Sequence, residues 1–421
     1  MKVLVVGSGG REHALILKLR ESPKVTKIYA APGNGGISAV AELADIKATD
    51  IDGMLAFAKE KSIDFAVIAP DDPLVLGMGD AFEAAGIPTF GPSKAAAAIE
   101  GSKVFSKNLM KKYGIPTASY ETFDDEDAAV AYLKAQGRYP AVVKADGLAL
   151  GKGVIIAADE KEACDAVHAM MGDKIFGASG SHIVIEEYLE GPEVSVLAFT
   201  DGKTLVPMVS SKDHKRAFDG NKGLNTGGMG TIAPNPFYTS EIAAQCMETI
   251  FLPTIEAMRK EGRPFKGCLY FGLMVTKDGP KVIEYNCRFG DPETQVVLPL
   301  LKTDLFEIME AVHDGRLGEI QVEFSSQCAA CVILASGGYP QKYQTGYPIA
   351  GLDGDGQVPG VTIYHAGTKR QDGQFATSGG RVLGITALGD TLDEALDKSY
   401  KAAEGIAFTG AYRRSDIGRI C

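Results

Sequence analysis

Lys281-Val-Ile-Glu-Tyr-Asn-Cys-Arg-Phe-Gly-Asp-Pro-Glu-Thr-Gln295 alternates apolar and polar side chains up to its glycine. Successive side chains of a strand point to opposite faces. The spacing predicts a strand over 281–288, with Ile283, Tyr285, Cys287 and Phe289 on a face packed against the core. Glu284, Asn286 and Arg288 share the other face. A carboxylate and an amide oxygen two residues apart are hard donors suited to magnesium. An arginine one step further can stabilise charge on a transferring phosphoryl group.

Three further stretches fit that chemistry. Lys144-Ala-Asp-Gly-Leu-Ala-Leu-Gly-Lys-Gly153 has the spacing GxxxGKG, short of a P-loop by one residue and by the Ser or Thr that would hold magnesium. Val154-Ile-Ile-Ala157 after it reads as a strand, so the stretch is a hairpin, and Lys144 and Lys152 can neutralise polyphosphate oxygens from a lid. His182-Ile-Val-Ile-Glu-Glu-Tyr-Leu189 is a strand ending in acids, followed by a turn at Gly191-Pro192. Such an edge offers main-chain groups to an adenine and a carboxylate to ribose hydroxyls. Gly7-Ser-Gly-Gly-Arg-Glu-His13 joins the first strand to the first helix, where amide groups favour an anion. It is not a dinucleotide fingerprint, because Glu12 stands where GxGxxG needs glycine. A small phosphate-bearing molecule fits better, with Arg11 as its charged partner. Between these lie Ser210-Ser-Lys-Asp-His-Lys-Arg216 and the glycine-rich Asn225-Thr-Gly-Gly-Met-Gly230, and the latter suits close approach of backbone to a substrate.

The chain of 421 residues is long enough for two to four domains. Its first hundred residues alternate short apolar runs with helical patterns, among them one over 74–85, which predicts a parallel α/β sheet. An α+β section follows, and a strand-rich part begins near Ser326. The expected domains are 1–102, 103–325 with a lid at about 121–188, and 326–421. A net charge of −11 argues against a general nucleic-acid or anionic-membrane surface. No apolar run reaches the length of a membrane span, and Met1–Gly7 reads as a strand, not a leader. Seven cysteines at irregular spacing fit reduced thiols and a cytoplasmic location. Cys328 and Cys331 fall in an apolar strand and read as buried thiols, and no histidine is spaced for zinc.

Together these runs resemble the ATP-grasp superfamily, and within it the phosphoribosylamine–glycine ligase family. The likeness is carried by VVGSGGREHAL, APGNGG, IEGSKVFSK, VVKADGLALGKGV, IVIEEYLEGPEVS, SKDHKR, NTGGMG, IEYNCRFGDPETQ, ASGGYP, HAGTK and GGRVLGITALG, in the family's order along essentially the whole chain. It implies a PreATP-grasp parallel-sheet N-terminal domain, a central ATP-grasp fold and a small β-rich C-terminal domain. It implies that Lys103 and Lys144 contact ATP phosphates while Gly151, Lys152 and Gly153 close over them. Glu186, Glu187 and Leu189 would line the adenine pocket and Glu193 would hold the ribose. Glu284 and Asn286 would bind Mg2+ or Mn2+, and Arg288 would assist phosphoryl transfer. Gly9, Gly10, Arg11, Asp71 and Asp213 would hold the substrates, glycine and 5-phosphoribosylamine, in a monomeric enzyme. Two departures from the pattern stand out: Tyr270-Phe-Gly-Leu-Met274 lacks the second metal-binding acid of many ATP-grasp enzymes, and Asp71 replaces a longer acid. The rival reading is another ATP-grasp carboxylate–amine ligase of purine synthesis. A regulator without turnover is disfavoured by the full metal-and-lysine set, and an oxidoreductase by Glu12.

Overall fold

The computed structural model of the protein describes residues 1–148 and 153–419. Its first layer is a parallel sheet of β1 (Lys2–Gly7), β2 (Lys27–Pro32), β3 (Glu42–Leu43), β4 (Phe65–Ile68) and β5 (Thr89–Phe90), in the order β3-β2-β1-β4-β5. Leu4, Val6, Ala66 and Ile68 enter one core and Val3, Val5, Phe65 and Val67 another. Burial on both faces is why these strands read as unbroken apolar runs. The strand order reverses beside β1, so the loops after β1 and β4 open side by side at one edge, the usual place for a ligand. The helix expected over 74–85 is two helices, Asp71–Leu76 and Met78–Ala84, broken at Gly77, whose φ of +98° suits only glycine.

A lid follows, built from β6 (Tyr120–Phe123), β7 (Ala141–Ala145), β8 (Val154–Ala157) and β9 (Ile183–Glu187) in the antiparallel order β6-β9-β7-β8. Leu133, Val143, Val167 and Ile185 form a core of its own beneath helices Glu126–Gln136 and Glu160–Val167.

The central body contains β10 (Glu193–Asp201), β11 (Leu205–Pro207), β12 (Lys212–Asp213), β13 (Arg216–Phe218), β14 (Lys222–Asn225), β15 (Gly230–Ala233), β16 (Lys266–Thr276) and β17 (Gly279–Asn286). One sheet runs β11-β10-β16-β17. In the last pair Gly272 faces Glu284 and Leu273 faces Val282, leaving Ile283 as an extra residue. A bulge re-aims neighbouring side chains: Val282 and Tyr285 enter the core, and Ile283 lines the cleft described below. This corrects the expectation that Ile283 packs inside. Cys287 and Phe289 are buried as expected.

The last part adds β18 (Cys328–Ala335), β19 (Thr362–His365), β20 (Thr368–Gln371), β21 (Gln374–Thr377) and β22 (Arg381–Gly389). Its main sheet, β12-β15-β18-β22-β19, takes two strands from the central body. Helix Leu392–Glu404, capped by Thr391, buries Ala395, Leu396, Ser399 and Ala403, a helical stripe. Asn34 fastens this part to the first sheet: its amide donates to Ser8 O and His365 O at 2.8 Å each, and its oxygen accepts from Gly36 and Ile37 N–H. Cys328 and Cys331 are free thiols in β18. Among the described residues no cluster of His, Cys, Asp and Glu could alone hold a metal, and no helix is long and apolar enough to cross a membrane.

Candidate active site

A cleft open to solvent lies between the lid sheet and β17. Helix Lys103–Tyr113 forms one wall, and Asp146 ties the hairpin base to its start by accepting from Val104 N–H at 3.2 Å. Lys103 Nζ donates to Gly147 O at 2.5 Å, and burial pulls this ammonium below its ordinary range. Four residues on, Lys107 is only 2% exposed. Its Nζ stands 3.0 Å from Glu186 Oε2 and donates to Thr117 Oγ1 at 2.7 Å. Burial lowers Lys107 to about 8 against the opposing pull of Glu186. Lys144 Nζ lies 2.9 Å from the other oxygen of Glu186 but hydrogen-bonds instead to Ile283 O at 3.2 Å. Glu186 Oε1 thus accepts no hydrogen bond among the described residues.

Glu284, Asn286 and Arg288 line the opposite wall with Asp71 and Glu100. Burial works against ionisation of Glu284, but Lys215, Lys144, Lys103 and Arg288 outweigh it and hold this carboxyl below its ordinary range. Arg288 Nη2 sits 3.0 Å from Glu100 Oε1 and 3.8 Å from Asp71 Oδ2. The second oxygen of Glu100 accepts from Cys287 N–H at 2.7 Å. Burial raises the Glu100 carboxyl above the usual carboxylate range, although Arg288 opposes the shift. Arg288 Nε is buried and hydrogen-bonded to nothing among the described residues. Buried donors are rarely left unpaired in a folded chain.

A second group continues from this wall. Lys215 Nζ bridges Glu193 at 3.3 Å and Glu284 at 3.5 Å. Burial, reinforced by Glu293, pushes the Asp213 carboxyl well above its ordinary range. Gly228, with φ +116°, is what lets the glycine-rich loop pass: a Cβ there would stand 2.5 Å from Asp213 Oδ1 and from Pro292 Cδ. Tyr270, opposite Asn286 in the sheet, shares a 2.8 Å hydrogen bond with Ser195, which also donates to Glu293 at 3.3 Å. Arg381 of β22 donates to Gly227 O at 2.6 Å and Asp291 O at 2.8 Å, pinning this loop to the last sheet.

The structure thus gathers Lys103, Lys144, Gly153, Glu186, Asp71, Glu284, Asn286 and Arg288 around one cleft. Glu187, next to Glu186 on β9, turns to the opposite face and accepts from Ser119 N–H at 2.9 Å. Leu189 and Glu193 stand beyond the cleft wall, Glu193 joined to it through Lys215. Gly151 and Lys152 lie outside the described residues. The Gly9–Arg11 loop packs on residues 289–295, but its donors are engaged within the chain. Gly9 N–H goes to Glu12 Oε2 at 2.6 Å, Arg11 Nε to Glu12 Oε1 at 2.8 Å, and Arg11 Nη1 to Phe289 O at 3.1 Å. Glu12 therefore takes up an amide and a guanidinium donor of this loop. Sequence reading missed Glu100, Lys107, Lys215, Tyr270 and Glu293. Lys107 left a trace, four residues after Lys103 on the same helical face, and Lys215 and Glu293 lie within stretches quoted above but were not singled out.

His13 and His214 prove structural. His13 Nδ1 accepts from His365 N–H at 2.9 Å, and His214 Nε2 accepts from Gly418 N–H at 3.0 Å.

Comparison with known proteins matches that layout. Family models of phosphoribosylglycinamide synthetase match in order: the N domain over residues 1–100, the ATP-grasp (A) domain over 101–294 and the C domain over 329–420. The phosphoribosylamine–glycine ligase of Caldanaerobacter subterraneus subsp. tengcongensis is 49% identical over 417 residues, 99% of each chain. That of Brucella melitensis is 49% identical over 99% of this chain and 97% of its own. Among solved structures, the phosphoribosylamine–glycine ligase of Thermotoga maritima superposes with a TM-score of 0.86 at 33% identity, covering 99% of this chain and 100% of that one. The biotin carboxylase domain of Hydrogenobacter thermophilus 2-oxoglutarate carboxylase, a complex with MgADP, ADP and bicarbonate, has a TM-score of 0.75 at 17% identity over 98% and 91%, a likeness of fold alone. With all three domain models of one family matched in sequence, and relatives of nearly half identity along its whole length, the chain belongs to the phosphoribosylglycinamide synthetase family.

Proposed function

We propose that this chain is an ATP-dependent ligase that joins glycine to 5-phosphoribosylamine through glycyl phosphate, giving glycinamide ribonucleotide, ADP and phosphate in de novo purine synthesis. One observation carries the reading: Lys144 of the lid, Lys103 of the adjoining helix and the Glu284–Asn286–Arg288 edge line a single cleft. A carboxylate oxygen of glycine attacks the γ-phosphorus of ATP, and the bond to ADP breaks. The amine of phosphoribosylamine then attacks the acyl carbon, phosphate leaves with the C–O electron pair, and the nitrogen gives up a proton. No protein nucleophile is needed.

Each group has a task in this scheme. Lys103 and Lys144 neutralise ATP phosphates, and Gly151, Lys152 and Gly153 close over them to keep water from the acyl phosphate. Glu186, Glu187 and Leu189 form the adenine edge and Glu193 holds the ribose. Glu284, kept ionised by its cationic neighbours, and the Asn286 amide oxygen are a donor set fit for Mg2+ or Mn2+. A divalent ion held there supplies charge neutralisation to the phosphates. Arg288, braced by Glu100, directs its unpaired Nε at the transferring phosphoryl group and the glycine carboxylate. Gly9, Gly10, Arg11, Asp71 and Asp213 shape the phosphoribosylamine side. The enzyme works as a cytoplasmic monomer.

The test is ADP release from ATP, glycine and each of several amines with a divalent metal. Turnover is expected with phosphoribosylamine. ADP formation with a different amine, and never with this one, would refute the substrate assignment.

A further inference from the structure

Lys107 is a buried cation for which the ligase scheme has no use. Its ammonium stands 3.0 Å from Glu186 Oε2, donates to Thr117 Oγ1 at 2.7 Å and lies 5.6 Å from the centroid of the Tyr120 ring. Thr117 in turn donates to Val282 O at 2.7 Å, anchoring the lysine to the strand that carries Glu284. Lys144 flanks the same carboxylate: its Nζ lies 2.9 Å from Glu186 Oε1 and donates to Ile283 O at 3.2 Å.

Two ammonium groups therefore share one carboxylate, and Lys107 is the more deeply buried of the two. We infer that Lys107 is a positioning residue for ATP: as the permanent counter-ion of Glu186, it leaves Lys144 free to turn to a phosphate. Without Lys107, Glu186 would be a buried carboxylate with Lys144 as its sole partner. A buried pair resists separation because parting it strands a charge away from water. Lys144 would then be captured, and nucleotide would have to compete with Glu186 for it. This inference rests on the nucleotide-binding role proposed above.

Steady-state kinetics of the full chain with varied ATP test it, using wild type, Lys107→Met, Lys107→Gln, Glu186→Gln and the double variant K107M/E186Q. Both Lys107 variants are expected to raise the KM for ATP about tenfold or more, with the KM for glycine within about twofold of wild type. Adding E186Q to K107M is expected to bring the KM for ATP back toward that of E186Q alone, since it removes the captor of Lys144. A merely structural lysine would not show such rescue. Thermal unfolding confirms that each variant is folded. If K107M is not, K107Q, which retains a donor for Thr117, carries the test. A KM for ATP within about twofold of wild type in the folded variants would overturn the inference. So would E186Q deepening the K107M defect. A wild-type chain that binds ATP but makes no product would overturn the ligase reading instead, and ATP calorimetry on the same variants would then decide the role of Lys107.

Discussion

Glu100 binds the Arg288 guanidinium with one oxygen and the Cys287 amide with the other, so Arg288→Ala strands a buried carboxylate. The expected loss is about 3–5 kcal/mol of stability. The gap from wild type should widen as pH rises. Burial already raises the Glu100 carboxyl, and without Arg288 the folded chain would keep that proton above about pH 4.3, where the unfolded chain releases it. Urea unfolding at pH 5.5 and 8 checks this, and an equal gap at both would contradict it. The strand pattern made Glu284, Asn286 and Arg288 legible because alternation is a local property. Glu100 was not legible: one acid in the alanine-rich helix Lys94–Gly101 looks like a surface residue until that helix is packed against β17.

Helix ends and bulges set the site's shape at the next scale. Gly10 begins the first helix, and a Cβ on it would lie 2.5 Å from Gln295 Nε2, which donates to Asp291 Oδ1 at 2.8 Å. Gly10→Ala should overpack this junction, costing about 1–3 kcal/mol. If the loop it pushes holds phosphoribosylamine, as proposed above, the KM for that substrate should rise more than the KM for ATP. Denaturant melts and initial rates measure the two effects; a larger rise for ATP would place the loop wrongly. The sequence showed this strand–loop–helix junction clearly, through its glycines. It could not show the bulge at Ile283, which arises only when β17 is laid against Gly272 of β16.

Three buried histidines contribute to the acid sensitivity of the whole molecule. Burial lowers His214 and His365 to about 4, and His13 falls well below its ordinary value for the same reason. Unfolded histidine titrates near about 6.5, so between that pH and about 4 the unfolded chain holds more protons. Stability should therefore fall as pH drops through this window, with a shallower slope in His214→Asn. Melting temperatures between pH 7 and 4.5 are the measurement, and identical slopes would rule His214 out. The domain order was readable from the succession of periodic segments. The sheet shared by β12, β15 and β18 was not, since its pairing joins residues about a hundred positions apart along the chain. That shared sheet has a mechanical corollary. Asp213 and the glycine-rich loop are bolted to the tail end of the polypeptide, while the flap bearing Lys144 hangs from its own small core. The two walls of the cleft thus differ in their footing: one rests on a small core of its own, the other on a sheet woven from distant parts of the chain.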